Sequence, residues 1–199
     1  QFYYKRRMEN RSVDLAELLK KFESNWQSSG FLSREHEERR LEEGRETLRK
    51  FFHREQKSKT VPRYIEKKFK FTLGDNFVTG RFDRVDLTEK GAVIIDFKTS
   101  DISDKDDADD RAKKSTQLAI YSLAWKTIAG KLPQKLELHF VNTGAVGSVI
   151  PDDKMTEKTE EIIKKVSDGI KSENFTAAPQ YLSCNFCPFN NICSGTPAL

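Results

Sequence analysis

Cysteine is missing from this chain until Cys184, and then three occur together, at Cys184, Cys187 and Cys193. An odd number in one cluster excludes a disulfide framework; it suits a metal-ligand arrangement or reduced thiols. Long apolar runs are also missing. None approaches the roughly 18 residues of a membrane span, and no signal-peptide pattern opens the chain. A cytoplasmic, reducing setting without a membrane partner is therefore expected. Glycine (10) and proline (6) are too few for a low-complexity chain. Neither sign of charge dominates: Lys and Arg number 35 against 31 Asp and Glu, a net charge of +4. That surplus is too small to identify a nucleic-acid partner by itself. What is present is 33% charged and 36% hydrophobic residues in a 199-residue chain, a wet surface over a sizeable core. The length predicts a single domain, 1–199. Residue 1 is Gln rather than Met, so the expectation is that something upstream has been removed.

Hydrophobic periodicity divides the chain into three stretches. Residues 1–60 read as a helical segment. Leu15, Leu18, Leu19, Phe22 and Trp26 recur at helical spacing after Ser12, and a Glu/Arg-rich helix follows from about Ser33 to Arg54. This segment carries the basic excess, and its interspersed signs read first as a solvated helix face. Residues 61–174 read as a core that begins with a period of two. Phe69, Phe71 and Leu73 alternate with polar residues, Gly74-Asp75-Asn76 signals a turn, and a second strand runs from Phe77 to Val85. After Thr88 to Gly91, the run Ala92-Val93-Ile94-Ile95 suits a buried central strand. Six Asp between 101 and 110 lack the glycine and terminal glutamate of a calcium loop and predict a mobile, solvated loop. A helix is expected from about Ala112 to Ala129, then strands around Leu136–Phe140 and Val146–Ile150, then a helix from about Met155 to Lys171. Residues 175–199 form an irregular cysteine tail. The order ααβββαββα predicts an α/β or α+β fold, with helices beside a small mixed sheet.

The chemistry concentrates in Gly80-Arg81-Phe82-Asp83-Arg84-Val85-Asp86 and Ile94-Ile95-Asp96-Phe97-Lys98-Thr99-Ser100. Asp83 and Asp96 lie across one hairpin, where strands about 4.8 Å apart let two carboxylates converge on one cation. Asp96 and Lys98 are two apart on one strand and point to one face. Charge at the end of a buried strand is costly unless it is paired or metal-bound. Two carboxylates and the Phe97 backbone carbonyl are hard oxygen ligands of the kind Mg2+ or Mn2+ takes. A lysine beside them can orient a water and stabilise charge on a phosphorus centre. Against this stands a plain surface ion pair, because Asp-x-Lys alone is common. Asp86, an odd step from Asp83, points to the other face in a regular strand and is the decoy. Gln117 and Tyr121, four apart, share a helix face.

Taken together with Gln117-Leu-Ala-Ile-Tyr121-Ser-Leu-Ala, these segments resemble the PD-(D/E)XK nuclease superfamily. More narrowly they resemble the RecB/AddB-like nuclease domain at the C-terminus of UvrD-like helicases. The resemblance covers most of the chain and implies a restriction-endonuclease-like core. It implies a Mg2+- or Mn2+-dependent, exonuclease-like deoxyribonuclease acting in recombination or repair. It also implies DNA as partner, together with a helicase domain or subunit; no P-loop pattern occurs here. It assigns Asp83 and Asp96 as metal ligands with the Phe97 carbonyl, and Lys98 as the catalytic lysine. Gln117 and Tyr121 become site supports that touch DNA, and Glu66, just before the first strand, an auxiliary acid.

The tail Cys184-x2-Cys187-x5-Cys193 resembles three ligands of the iron–sulfur staple of AddB-type nucleases, with zinc as the other metal thiolates hold at such spacings. The resemblance implies a [4Fe-4S] cluster whose fourth cysteine precedes this chain's first residue. It also implies a helix with a metal-ligand His near the start, for which Met8–Ser12 leaves no room. An incomplete start, and a fragment that is inactive by itself, are the corresponding expectations. Two other readings share the fold: a DNA-binding or scaffolding module without catalysis, and a stand-alone CRISPR-associated nuclease.

Overall fold

The computed structural model describes residues 1–195 and divides into two compact units, Gln1–Glu160 and a second from Glu161 onward. In the first unit, α1 (Phe2–Met8), α2 (Leu15–Glu23) and α3 (Arg34–Gln56) precede three strands, β1 (Tyr64–Leu73), β2 (Asn76–Thr88) and β3 (Gly91–Lys98). Then come α4 (Lys105–Lys113), α5 (Thr116–Ala129), β4 (Lys135–Phe140) and β5 (Val146–Val149). Helix α6 (Asp153–Lys171) begins in the first unit and ends in the second, which also holds α7 (Tyr181–Asn185).

The sheet has five strands in the order β1-β2-β3-β4-β5. Only β3 and β4 run parallel; the other neighbours are antiparallel. The α4–α5 stretch is thus the crossover that a parallel pair requires. The whole is a mixed α+β fold of the restriction-endonuclease-like kind, as expected. The β1–β2 turn is a two-residue loop in which Gly74 takes φ +56°, a value glycine adopts without strain at the first loop position. In the centre, Val85, Ile94, Leu118 and Leu136 are sealed from water. A second cluster, Tyr3, Tyr4, Leu18 and Phe52, joins the helical segment to the sheet, with Tyr4 stacked on Phe97 at 5.9 Å between ring centroids.

Two expectations need correction. The aspartate-rich stretch, expected as a mobile loop, is largely helix α4, separate from α5. Asp104 caps α4 by accepting hydrogen bonds from the Asp106 and Asp107 N–H groups, and acidic side chains in a first helical turn favour the helix dipole. Ala108 and Ala112, one turn apart, are fully buried. The Ala108 carbonyl lies so close to Gly147 on β5 that any Cβ there would collide with it. Counting charge hid the two alanines that dock this helix. Glu66, expected before the first strand, lies inside β1.

In the second unit Cys184 lies in α7, and Cys187 and Cys193 follow it. The Cys187 N–H donates to the Cys184 carbonyl and the Cys193 N–H to the Phe189 carbonyl. All three thiols are free and half-buried. No helix among the described residues is long and apolar enough to cross a membrane.

Candidate active site

The cross-strand register builds the site. Lys67 pairs with Phe82 and Ile65 with Arg84, so Glu66 falls opposite Asp83. Arg84 pairs with Ile95, so Asp83 in turn falls opposite Asp96. Three acidic residues therefore form one row across β1, β2 and β3. The regular ladder is interrupted at this row. Glu66 has φ +52°, a left-handed conformation uncommon outside glycine. The side-chain alternation also slips there. Phe82 packs against Tyr121 of α5, ring centroids 5.2 Å apart, while Arg84 lies over Tyr4 of α1 at 4.5 Å. In an unbroken strand, residues two apart face the same neighbour. Local breaks of this kind re-aim side chains and terminate pairing, and they concentrate beside functional centres.

Asp83 is half-exposed, and its Oδ2 accepts a hydrogen bond from the Phe97 N–H at 3.1 Å. Asp96 is 1% exposed. Its Oδ1 accepts from the Gln117 side-chain amide at 2.6 Å, with the Tyr121 hydroxyl 3.5 Å away. Its Oδ2 lies 2.7 Å from the Lys98 ammonium, but off any hydrogen-bonding direction, so that oxygen is charge-paired and lacks a donor. Burial first, and the neighbouring Asp83 charge besides, push the Asp96 carboxyl above its ordinary range; Lys98 works against that rise. A buried carboxylate that is costly to ionise, with an oxygen short of a partner and a second carboxylate beside it, is a set of hard donors short of a cation. That chemistry fits Mg2+ or Mn2+.

Helix α5 supplies the other half. Ser115 caps it by accepting from the Leu118 N–H, which fixes Gln117 in the first turn. Gln117 bridges the ion pair, accepting from Lys98 Nζ at 2.7 Å while donating to Asp96. It also donates to the Tyr121 hydroxyl at 2.9 Å, and Tyr121 donates to the Arg81 carbonyl at 2.7 Å. Burial first, then the charges of Asp96 and Asp83, push Tyr121 up to about 12, so it stays a neutral donor at physiological pH. Sequence reasoning names Asp83, Asp96, Lys98, Gln117 and Tyr121, five residues that the structure brings together. It missed Arg81, whose carbonyl anchors Tyr121 and whose guanidinium pairs with Glu66 at 2.7 Å. No periodicity marks such a residue; only the register does.

Asp86, the decoy, is occupied elsewhere. Two Arg84 N–H groups donate to its two oxygens, both at 2.8 Å, and Arg84 also reaches Glu55 at 3.5 Å. Among the described residues no group of three or more His, Cys, Asp or Glu side chains is placed to hold a metal. The two-carboxylate pair is what the sheet assembles, and the three thiols are not gathered into a ligand set. Of the histidines, His139 pairs with Glu137 at 2.7 Å.

Comparison with known proteins follows the same line. The family description that matches residues 1–194 is that of the PD-(D/E)XK nuclease superfamily, and the chain belongs to it. Members of this superfamily are nucleases that generally use Mg2+ or Mn2+, and membership implies binding to DNA. Among solved structures, one titled "Crystal structure of SSO0001" is similar at 15% identity and a TM-score of 0.44, covering 90% of this chain and 93% of that one. Curated proteins gave no match.

Proposed function

We propose that this protein is a metal-dependent deoxyribonuclease, exonuclease-like, that works with a helicase in recombination or repair. The observation that carries the chemistry is the Lys98 ammonium held between the buried Asp96 and Gln117, with the half-exposed Asp83 as the second carboxylate. Asp83, Asp96 and the Phe97 carbonyl would hold Mg2+ or Mn2+, which when bound polarises a phosphodiester and acidifies water. Lys98 orients the attacking water and neutralises charge that develops as oxygen bonds to phosphorus. The water gives up a proton to solvent, the ester P–O bond breaks, and the departing oxygen takes a proton from solvent. Gln117 keeps Lys98 and Asp96 in register, and Tyr121 locks Gln117 to the strand. The helicase and repair setting rests on motif resemblance alone, from Gly80–Asp86, Ile94–Ser100 and the Gln117–Tyr121 helix face.

The cysteine tail enters this reading as three of four ligands to an iron–sulfur cluster, or to zinc. Its support is the Cys-x2-Cys-x5-Cys spacing, and no catalytic step depends on it. Protein purified without oxygen should be brown with an iron–sulfur cluster and colourless with zinc.

Asp83→Ala and Lys98→Ala should each abolish Mg2+-dependent cleavage of single-stranded DNA by the full-length protein. Undiminished cleavage by either variant would overturn the assignment. A second reading, a DNA-binding module without catalysis, draws on Glu66 being ion-paired with Arg81. Wild-type protein that binds DNA but leaves it intact in Mg2+ or Mn2+ would favour it.

A further inference from the structure

The β1–β2 hairpin has one face that the proposed chemistry does not use. Phe69 and Phe71 on β1 and Phe82 on β2 are buried, and Phe69 and Phe82 pack against Tyr121 of α5. The opposite face is exposed and pairs Lys68 with Arg81, Lys70 with Thr79 and Thr72 with Phe77. Lys68, Lys70, Thr79 and Arg81 line an open groove of about 660 Å3. At its far end Phe77 is 69% exposed, with the Lys70 ammonium 4.1 Å from its ring centroid. At its near end Arg81 contacts Glu66, the β1 member of the acidic row. Phe77 and Asp83 are six residue steps apart along the strand, about 20 Å if extended.

Lysines on an edge strand have a plain structural use, since they discourage pairing with another sheet. That accounts for Lys68 and Lys70 on β1. It does not account for the exposed ring of Phe77, on a stretch of β2 that pairs with β1 alone, because an apolar ring on an open edge invites pairing instead of discouraging it. Cations flanking an aromatic ring along a groove are the pattern that binds single-stranded nucleic acid: phosphates meet the charges and a base stacks on the ring. We infer that this hairpin face is a single-stranded nucleic-acid track leading to the acidic row, with phosphates on Lys68, Lys70 and Arg81 and a base on Phe77. The inference rests on the nuclease reading for its direction, since the track ends where that reading puts the scissile bond.

The test measures binding without cleavage. A labelled thymidine oligomer of about a dozen nucleotides is titrated with full-length protein in EDTA, by fluorescence anisotropy across a salt series. Lys68→Ala/Lys70→Ala should lower the slope of log affinity against log salt by about 1.4, because each single-strand phosphate contact contributes about 0.7. Lys68→Arg/Lys70→Arg should restore it. Phe77→Ala should weaken binding about 5- to 150-fold with little change in slope. Lys90→Ala/Lys131→Ala removes equal charge beyond the other end of β2 and should leave the slope unchanged. Equal slopes for wild type and the Lys68/Lys70 variant, or a wild type that does not bind at low salt, would overturn the track. Mn2+ binding lost in Asp83→Asn shows separately that the metal site stands, so failure of the track and failure of the nuclease reading are told apart.

Discussion

Asp86 and Asp96 are both almost wholly buried, 5% and 1% exposed, on adjacent strands of one hairpin. Their surroundings differ in kind. Asp86 has both oxygens occupied by one guanidinium, which is itself stacked on Tyr4 and close to Glu55. Burial works against the Arg84 charge, but the Asp86 hydrogen bonds and nearby negative groups outweigh it and hold the guanidinium firmly protonated. Asp96 has one oxygen hydrogen-bonded by Gln117, the other beside an ammonium without a hydrogen bond, and Asp83 as a like-charged neighbour. The first carboxylate is sealed into the structure; the second is held open. A buried charge with complete partners serves the fold, whereas one left incomplete beside another carboxylate serves chemistry.

The largest expected effect breaks the open end. Asp96→Asn or Lys98→Ala should lower the rate of Mg2+-dependent cleavage by at least about 10²–10³-fold, with the protein still folded by circular dichroism. Breaking the sealed end should do the reverse. Arg84→Ala strands Asp86 without its partner and should cost about 3–5 kcal/mol of stability, read by chemical denaturation. Any activity lost should follow the unfolded fraction.

A smaller effect sharpens the contrast. The Asp96 carboxyl is raised above its ordinary 3.8 by burial first. A raised carboxyl binds its proton more tightly in the folded state. Its ionisation therefore opposes folding, and stability falls as pH rises from 3.8 through the folded value. Asp96→Asn removes that cost and should raise the melting temperature at neutral pH without metal, by about 2–4 °C for each kcal/mol regained. Asp86→Asn should lower it.

Glu137 gives the smallest test. Burial is the strongest influence on it and pushes upward, yet His139 and Lys135 together hold its carboxyl down at about 2 against an ordinary 4.5. Its stabilisation is present above pH 4.5 and is lost as pH falls from there towards 2. Glu137→Gln should cost on the order of 1–2 kcal/mol at neutral pH and close to nothing near pH 2.

Much of this contrast is legible in the sequence, for a physical reason. The run Ala92–Ile95 ends at Asp96, so the strand leaves its apolar stretch where charge begins, and a period of two then sets Lys98 beside Asp96. The odd step from Asp83 separates Asp86 from the site. Helical spacing joins Gln117 to Tyr121. What escaped are features that depend on partners distant in the chain. Tyr4 and Glu55, both far off in the chain, hold Arg84 over Asp86, and Glu66 enters β1 only through the register with β2. Helix α4 was hidden because two small alanines, rather than large apolar residues, dock it. The cysteines show the converse: their spacing is strong in the sequence, yet the described residues do not bring the thiols together.

The central claim is that Asp83 and Asp96 form a cation site that the fold leaves open. Calorimetric titration of the full-length protein with Mn2+ tests it most directly. Wild type should bind Mn2+ with a heat that disappears in Asp83→Asn and in Asp96→Asn, while Glu137→Gln binds as wild type does. Mn2+ binding unchanged in Asp83→Asn and Asp96→Asn would contradict the account.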